Sequence, residues 1–292
     1  MIQASELILR PSGAIYHLNL HPEQVAKTII TVGDPERVKL ISDKFDKVTT
    51  RVEAREFVTH TGELDGVPLT VVSTGIGTDN IDIVLNELDA LFNIDLDKRE
   101  VKDDLAKLTF IRLGTSGSFQ PDLPLGSFLM SEAALAADGL LPFYLDASVP
   151  DPLAYSLHAH LDRGEVKFPV PILVVRPTLP SIFAESDLPR GVTLTASGFY
   201  GPQGRSLRLR AGLHAGLLER LRNWQEGDLR LTNIEMETSG IYGLATALGH
   251  RAVSVSALIA NRALGTFHER PGEVVEKLIE RGLELATNMR EG

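Results

Sequence analysis

The chain contains no cysteine, and this absence excludes several classes of protein. A disulfide scaffold, a thiol nucleophile and a zinc site built on cysteine all require that residue. None of the eight histidines stands in an H-E-x-x-H or similar spacing, so the sequence predicts no catalytic metal. The lack of cysteine also fits a reducing compartment, and we expect a cytoplasmic location.

Long apolar runs are missing as well. The N-terminal segment MIQASELILRPSGAIYHLNL has no apolar stretch after a basic start, so we expect no signal peptide. No window approaches the roughly 18 apolar residues of a membrane helix, and we therefore expect no membrane partner.

Basic residues are in the minority. The 29 lysines and arginines stand against 39 aspartates and glutamates, which gives a formal net charge of −10. Because an acidic surface repels polyanions, we expect no nucleic-acid partner. Any anion that this chain binds must meet a local basic cluster, which makes the positions of individual arginines informative.

Strand and helix signals alternate along the whole chain. Its 292 residues, 43% of them hydrophobic, can bury a large core and show no repeat, low-complexity tract or linker. We therefore predict one α/β domain over residues 1–292, with a mixed or mostly parallel sheet surrounded by helices. The predicted strands are 28–33, 56–64, 67–74, 108–113, 128–131, 170–175, 193–197, 231–236 and 252–260. The predicted helices begin at Pro35 or cover 79–92, 213–223, 238–248 and 272–290, with a solvated helical segment at 95–107 and a weak helical signal at 153–161.

The first motif is Gly33-Asp34-Pro35-Glu36-Arg37, between a strand and a helix. Asp34 suits the N-cap and Pro35 the first helical position. The glycine N–H, the helix N-terminus and the Arg37 guanidinium would together attract an oxyanion. The alternative is a capped helix with a solvated arginine, and the motif alone does not decide between the two.

The second motif is RLGTSG, residues 112–117, which we predict to leave a strand as a small-residue turn. Its guanidinium, hydroxyl and N–H groups suit a small tetrahedral anion. The alternative is an ordinary turn between a strand and a helix. Arg112 favours the anion site, because an arginine within an apolar strand is costly unless it meets a partner.

The third motif is Glu235-Met236-Glu237, at the end of a predicted strand. Residues two apart in an extended segment point the same way, so both carboxylates could face one ligand. Paired carboxylates are typical of sugar-diol binding or of glycoside acid–base chemistry. The alternative is that one or both of them cap the following helix.

The fourth motif is FYGPQGR, residues 199–205. Phe199 offers a stacking face, Gln203 a donor together with an acceptor, and Arg205 a fixed set of donors. These groups match the edge of a pyrimidine base. The alternative is a surface loop rich in turn-forming residues.

Taken in this order, the motifs resemble the nucleoside phosphorylase-I family and, within it, the uridine-cleaving branch. GDP-x-R, RLGT and EME are specific as a set, and FY-x-x-Q-x-R singles out the uridine branch. The resemblance implies a central mixed sheet that forms a partial barrel surrounded by helices. The matching segments, spread over residues 17–262, are VGDPERV (32–38), AREF (54–57), STGIG (73–77), RLGTSG (112–117), GFYGPQGR (198–205), NIEMETSGIYGLA (233–245) and NR (261–262).

The resemblance also implies an activity and a role for individual residues. It implies phosphorolysis of uridine or a related pyrimidine nucleoside to uracil and ribose 1-phosphate, with inorganic phosphate as co-substrate and no cofactor. It further implies a homo-oligomer with shared active sites, in which Arg55 and His17 reach the phosphate and the 5′ hydroxyl of a neighbouring subunit. The implied phosphate site is Gly33, Arg37, Arg55, Arg112 and Thr115; the ribose site is His17, Glu235, Met236 and Glu237; the base site is Phe199, Gln203, Arg205 and Arg262; and the catalytic group is Arg205, Gln203, Glu237 and Arg112.

Two segments depart from the pattern of the family. After STGIG the chain reads TDNID (78–82), where many bacterial relatives carry smaller residues and a serine. We therefore do not expect the monovalent-cation site of some family members here. The charged segment 95–107 is longer than the compact bacterial pattern, which leaves both a dimer and a hexamer open.

Four other functions compete with this one. A nucleosidase of the same fold would use water and would not need the three arginines of the phosphate site. A purine nucleoside phosphorylase is disfavoured by Gln203 and Arg205, and Asn261 stands near the place of the aspartate that purine-cleaving relatives carry. A non-catalytic nucleoside-binding protein would not need phosphate, ribose and base elements together. A glycosidase using Glu235 and Glu237 would need carboxylates on opposite faces of a sugar, which one short segment does not provide.

Overall fold

Strands and helices alternate along the chain in the computed structural model, which describes residues 1–144, 151–162, 169–213 and 215–289. Three 3₁₀ turns, at Pro22–Gln24, Leu141–Phe143 and Gly201–Gln203, lie between them. The strands are β1 (Thr28–Val32), β2 (Lys47–Ala54), β3 (Phe57–Leu64), β4 (Val67–Ser73), β5 (Ile94–Asp95), β6 (Glu100–Val101), β7 (Thr109–Ser118), β8 (Phe128–Ala137), β9 (Leu173–Val175), β10 (Arg190–Ala196), β11 (Gln225–Glu226), β12 (Leu229–Glu235), β13 (Arg251–Asn261) and β14 (Thr266–Phe267). The α-helices are α1 (Pro35–Ser42), α2 (Thr78–Asn93), α3 (Pro152–Asp162), α4 (Ser181–Ala184), α5 (Ala215–Asn223), α6 (Thr238–Ala247) and α7 (Pro271–Thr287).

Five strands form a closed ring at the centre of the molecule. Around the ring they are β7, β13, β8, β10 and β12, and an antiparallel contact between β12 and β7 closes it. β7 and β13 run parallel to each other, and the other three strands run in the opposite direction. The closing seam is short, with Asn233 opposite Ser118 and Ile234 opposite Gly117. Main-chain pairing therefore continues around the ring without a free edge.

Outside the ring the sheet continues from β7 through β1 and β4 to β3 and β2. β1 runs parallel to both β7 and β4, so these three strands end at the same edge of the sheet. The predicted turn at Asp65-Gly66 joins β3 to β4, and both residues have positive φ angles, 52° and 76°. A two-residue hairpin turn of type I′ requires positive φ at both positions, and aspartate–glycine tolerates it well.

Helices cover both faces of the sheet because their apolar stripes have hydrophobic strands to pack against. α2 and α6 pack on one face, whereas α1 and α7 pack on the other. α3 and α5 enclose a third core beside the ring, built around the fully buried Trp224. This architecture confirms the predicted α/β class with a mixed sheet, a partial barrel and surrounding helices. No helix in the described ranges is long and apolar enough to cross a membrane.

One predicted turn is part of a strand. RLGTSG was expected to leave the sheet after Leu113, but β7 continues to Ser118. It continues because β13 pairs with it along its whole length and β12 pairs with its last two residues. The neighbouring strands supply hydrogen bonds that outweigh the turn preference of glycine and serine.

The helix predicted for the charged segment 95–107 is absent. The short strands β5 and β6 pair there instead, and Arg99 between them has a φ angle of 56°. The Asp95 carboxylate accepts a hydrogen bond from the Lys98 N–H at 2.9 Å. Such a side-chain bond to the nearby main chain competes with helix formation.

The remaining differences concern boundaries and missed elements. The predicted strand at 128–131 extends to Ala137, and that at 170–175 is limited to Leu173–Val175. The last helix ends at Thr287, and residue 290 of the predicted span lies outside the described residues, as does residue 214 of the predicted helix 213–223. β2 and the short strands gave no clear signal, because β2 alternates exposed and half-buried side chains at the end of the sheet.

Candidate active site

Arg112 lies at the centre of the candidate site. β7 carries it between Thr31 of β1 and Ser254 of β13, and only 7% of the residue is exposed. Its Nη2 atom lies 2.7 Å from Glu237 Oε2 and 3.0 Å from Glu235 Oε2. Burial alone would lower the pKa of Arg112, but the two carboxylates outweigh it and raise that pKa. An arginine in an apolar strand requires a partner, and two carboxylates of the protein itself fill this role.

Gly114 gives the Arg112 guanidinium its space. A Cβ atom on Gly114 would lie 2.1 Å from Arg112 Nη1, closer than any real contact. The same nitrogen donates to Ser256 Oγ at 3.2 Å and more weakly to Ser254 Oγ at 3.4 Å. A glycine is therefore needed at this position because the Arg112 side chain of the same strand occupies the space beside it. The interpretation of RLGTSG as a turn did not include this reason. Thr115 follows Gly114 and is partly exposed.

Glu235 caps α6, which is the alternative that the sequence left open. Its carboxylate accepts hydrogen bonds from the main-chain N–H groups of Glu237 at 2.9 Å and Thr238 at 3.0 Å. It also accepts from Thr195 Oγ1 at 2.7 Å. With Arg112 as a further donor, both oxygens are occupied by the protein. Glu235 therefore stabilises the start of α6 and the position of Arg112.

Glu237 connects Arg112 to a second helix. Its Oε1 atom accepts a hydrogen bond from the Gly77 N–H at 2.8 Å, and Gly77 is the N-cap residue of α2. Only 7% of Glu237 is exposed, whereas Met236 beside it is half-buried. The two glutamates do face the same way, as predicted, but they converge on Arg112.

Arg37 lies one turn into α1, next to this cluster. Asp34 caps the helix as predicted, with its Oδ1 atom accepting from the Glu36 N–H at 3.0 Å, and Gly33 lies beside Gly75. Burial lowers the pKa of Arg37, Arg112 adds to the lowering, and the carboxylates of Asp34 and Glu237 oppose it. Among the described residues, the ion pairs of this cluster join Arg112 to Glu235 and Glu237, and none of them includes Arg37. A desolvated cation beside another cation favours a bound anion.

The base-site residues form a separate group. Arg205 donates to the Phe199 carbonyl at 2.7 Å and to Gln203 Oε1, and its guanidinium carbon lies 3.8 Å from the centre of the Phe199 ring. Burial lowers the pKa of Arg205. Gln203 is buried, whereas Phe199 is 51% exposed. The structure thus brings three predicted base-site residues into direct contact.

Arg262 lies near Arg205 of this group. Its Nη1 atom is buried and has no hydrogen-bond partner in the described part of the chain. Burial and the nearby Arg205 lower the pKa of Arg262 to about 10. Asn261 holds the same loop, because its side chain donates to the Gln120 carbonyl at 2.9 Å and accepts from the Ala263 N–H at 3.1 Å. The amide group of Asn261 is therefore engaged in hydrogen bonds to the main chain.

His17 and Arg55 are not part of either group. His17 Nδ1 lies 2.6 Å from Glu87 Oε1, and no described bond links His17 to the Arg112 cluster. Arg55, with a φ angle of 57°, is exposed in the turn between β2 and β3, and its guanidinium carbon lies 5.5 Å from the centre of the Tyr16 ring. Tyr16 contacts the His17 ring edge to face, so the two residues share one surface.

Sequence reasoning missed several polar residues that support the site. Thr195, Ser254 and Ser256 bond to its charged side chains, and they stand in strands that read only as hydrophobic core. Asp138, directly after β8, was missed as well, although a carboxylate at the end of a buried strand is a recognisable signal. Among the described residues, no group of three or more histidine or acidic side chains is arranged to hold a metal ion.

Known proteins resemble this chain over most of its length. The family model described as the phosphorylase superfamily matches residues 27–289. A uridine phosphorylase of Thermococcus kodakarensis is 33% identical over 87% of this chain and 80% of its own length. A uridine phosphorylase of Haemophilus influenzae is 30% identical over 92% of this chain and 93% of its own length. The structure is similar to a Trypanosoma brucei nucleoside phosphorylase described as showing uridine phosphorylase activity, with a TM-score of 0.85, 27% identity and coverage of 97% and 99% of the two chains.

Proposed function

Because this chain belongs to the phosphorylase superfamily, we propose that it cleaves uridine with inorganic phosphate and releases uracil and ribose 1-phosphate. The curated relatives that carry this activity in their names match it at about 30% identity over most of its length. An enzyme that transfers ribose from a base to phosphate is a pentosyltransferase, and this chain belongs to that class. The alternative substrates that its sequence left open are other pyrimidine nucleosides.

The observation that carries the proposal is the pair of arginines at the start of α1 and in β7. Arg37 is desolvated, lies near Arg112 and is in none of the ion pairs described for that cluster. Phosphate bound at Gly33, Arg37, Arg112 and Thr115 would balance this charge and meet the positive end of α1. A nucleosidase, which activates water, has no use for such a cation pair.

In this proposal, Glu237 binds the ribose. Its carboxylate is held on both sides and can accept hydrogen bonds from the 2′ and 3′ hydroxyls, while Met236 contacts the sugar. Glu235 lies behind it with both oxygens engaged, so we propose that Glu235 acts through Arg112 and the start of α6 without touching the sugar.

Phosphate and nucleoside are thereby held face to face, which replaces a bimolecular encounter with a positioned one. As the bond between C1′ and the base stretches, C1′ becomes cationic next to the phosphate, and the electron pair of that bond moves to the base. Gln203, Arg205 and Arg262 then face a base that gains negative charge, and hydrogen bonds to it strengthen at the transition state. A phosphate oxygen bonds to C1′, and the departing uracil anion takes up a proton from water, which is balanced by the proton that the new phosphate ester releases.

We also propose a homo-oligomer with shared active sites. His17 and Arg55 lie together on a surface that no described bond connects to the Arg112 cluster, and both fit a role in the site of a neighbouring subunit. No cofactor is part of the proposal, since phosphate supplies the nucleophile. No monovalent cation is part of it either, because TDNID (78–82) departs from the family pattern. A cytoplasmic location fits the charged product, because a sugar phosphate does not cross a bilayer.

Uracil release from uridine, with and without inorganic phosphate and with inosine in parallel, tests the proposal. We expect release from uridine only when phosphate is present. Release without phosphate would make the chain a nucleosidase, and activity on inosine alone would contradict the base site. Binding without turnover would leave a nucleoside-binding protein.

A further inference from the structure

The N-termini of α2 and α6 meet at Glu237. Gly77 and Glu237 are the N-cap residues of the two helices, and neither caps its helix with its own side chain. The bond between Gly77 N–H and Glu237 Oε1 crosses the junction. The helices approach closely there, because a Cβ atom on Gly240 would lie only 3.0 Å from Thr78 Cγ2.

Asp138 ties this junction together from the end of β8. Its Oδ1 atom accepts a hydrogen bond from Ser239 Oγ of α6 at 2.6 Å. Its Oδ2 atom accepts from Thr78 Oγ1 of α2 at 3.0 Å and from the Leu140 N–H at 3.0 Å. A carboxylate between two helix N-termini is also favoured by their partial positive charge. Asp138 thus fixes the first turn of α2 relative to the first turn of α6.

We propose that Asp138 is a positioning residue that, through Thr78 and Ser239, holds Glu237 in place for the ribose hydroxyls. It thereby sets the preference for ribonucleosides over 2′-deoxyribonucleosides. Thr78 directly follows Gly77, which holds Oε1 of Glu237, and Ser239 lies two residues after Glu237. This inference rests on the proposed function, in which Glu237 reads the sugar.

The hydrogen bond from Gly77 to Glu237 explains why a change at Asp138 affects the sugar preference in particular. Arg112 fixes only Oε2, so the carboxylate can rotate about that contact unless Gly77 fixes Oε1. Two hydroxyls that bond to one carboxylate require it to stay within a few tenths of an ångström of its place. A 2′-deoxy substrate lacks one of these hydroxyls and loses less when the carboxylate is loosened.

The test compares two threonine-to-valine variants. Thr78→Val removes the hydroxyl that bonds to Asp138, and Thr61→Val removes one that bonds to Thr70 Oγ1 at 2.8 Å, between β3 and β4. The two threonines are 7% and 9% exposed, so the variants are matched in burial. We measure kcat/KM for uridine and 2′-deoxyuridine, KM for phosphate, and Tm.

We expect Thr78→Val to lower the uridine-to-2′-deoxyuridine ratio of kcat/KM about fivefold, less than the roughly tenfold or more of a direct hydrogen bond to a charged group, because Thr78 acts on Glu237 only through Asp138 and Gly77. KM for phosphate should change less than about twofold. Thr61→Val should leave the ratio unchanged, Thr78→Ser should restore it, and Asp138→Ala should lower it further. Equal losses on both nucleosides in Thr78→Val would overturn the inference and leave Asp138 a purely structural role.

Base release by the wild-type chain shows whether a negative result contradicts this inference or the proposed function. If it releases no base from either nucleoside in phosphate, the proposed function fails and the inference fails with it. If it cleaves inosine in place of uridine, inosine and 2′-deoxyinosine give the same ratio, because the sugar is shared. If Asp138→Ala does not fold, the comparison of Thr78→Val with Thr78→Ser decides.

Discussion

The cluster of Arg112, Glu235 and Glu237 differs from the base side of the site in how far its charges are balanced within the protein. Arg112, Glu235 and Glu237 are buried, and each contacts oppositely charged partners. On the base side, burial and the nearby Arg205 lower the pKa of Arg262, whose Nη1 atom has no partner in the described residues. The first region is built to be stable before a ligand binds, whereas the second keeps positive charge for a departing anion.

Removing Arg112 should have the largest effect. Arg112→Ala leaves two buried carboxylates side by side, so we expect stability to fall by about 3–5 kcal/mol. Phosphate-dependent turnover should fall at least about 1000-fold. Urea unfolding and uracil release measure the two effects.

Arg230→Ala is the matched control. Arg230 forms a comparable pair with Asp122, with Nη2 and Oδ2 2.6 Å apart, but on the surface. Its loss should cost about 1 kcal/mol or less and leave turnover intact. Unchanged turnover in Arg112→Ala would remove that arginine from the site.

Arg55 tests whether the phosphate side is complete within one chain. If a neighbouring subunit supplies it, Arg55→Ala alone should lose about 100-fold in turnover. Mixing subunits of Arg55→Ala with subunits of Arg112→Ala should restore about a quarter of wild-type activity in a dimer, because half of the dimers have one intact site. Subunits are exchanged in mild denaturant before the assay. No recovery after proven exchange would place Arg55 in the site of its own chain, or outside any site.

Gln203 tests the base side. Gln203→Ala removes the buried amide that bonds to Arg205, and we expect kcat/KM for uridine to fall about tenfold to hundredfold. KM for phosphate should stay within about twofold of the wild-type value. Initial rates over a grid of both substrates separate the two constants. An equal loss in both would contradict the assignment of a separate base site.

Arg262 should show the smallest loss of activity and the opposite effect on stability. Because the pKa of Arg262 is lowered to about 10 from an ordinary 12.5, its charge opposes folding at neutral pH, and this penalty fades only as pH rises above about 10. Arg262→Met keeps the apolar stem, so we expect Tm to rise without ligand and kcat/KM for uridine to fall severalfold. A lower Tm would mean that the charge is balanced in the folded chain.

Local chemistry explains which parts of the site could be predicted from the sequence. The cap formed by Asp34 and the turn at Asp65-Gly66 depend on neighbouring residues, and both predictions are confirmed. The direction of Glu235 and Glu237 also followed from strand geometry. Their common partner could not be foreseen, since Arg112 meets them only through the ring of strands.

The failures have two origins, one in contacts that are distant along the chain and one in local contacts. Gly114 looked like a turn residue because its use depends on a guanidinium two residues away and on strands far along the chain. The segment 95–107 looked helical from its charges, but a single aspartate bond and a two-residue strand pair redirected it.

The closed ring also determines when the site can form during folding. Glu237 lies 125 residues after Arg112 in the chain, and Ser254 lies 142 residues after it. Contacts across such separations form slowly, because a long loop must close first. We therefore expect the Arg112 guanidinium to stay hydrated during synthesis until β12 and β13 have left the ribosome. Its burial is a late step of folding, and a chain that stops before β13 retains the arginine but lacks the ring that encloses it.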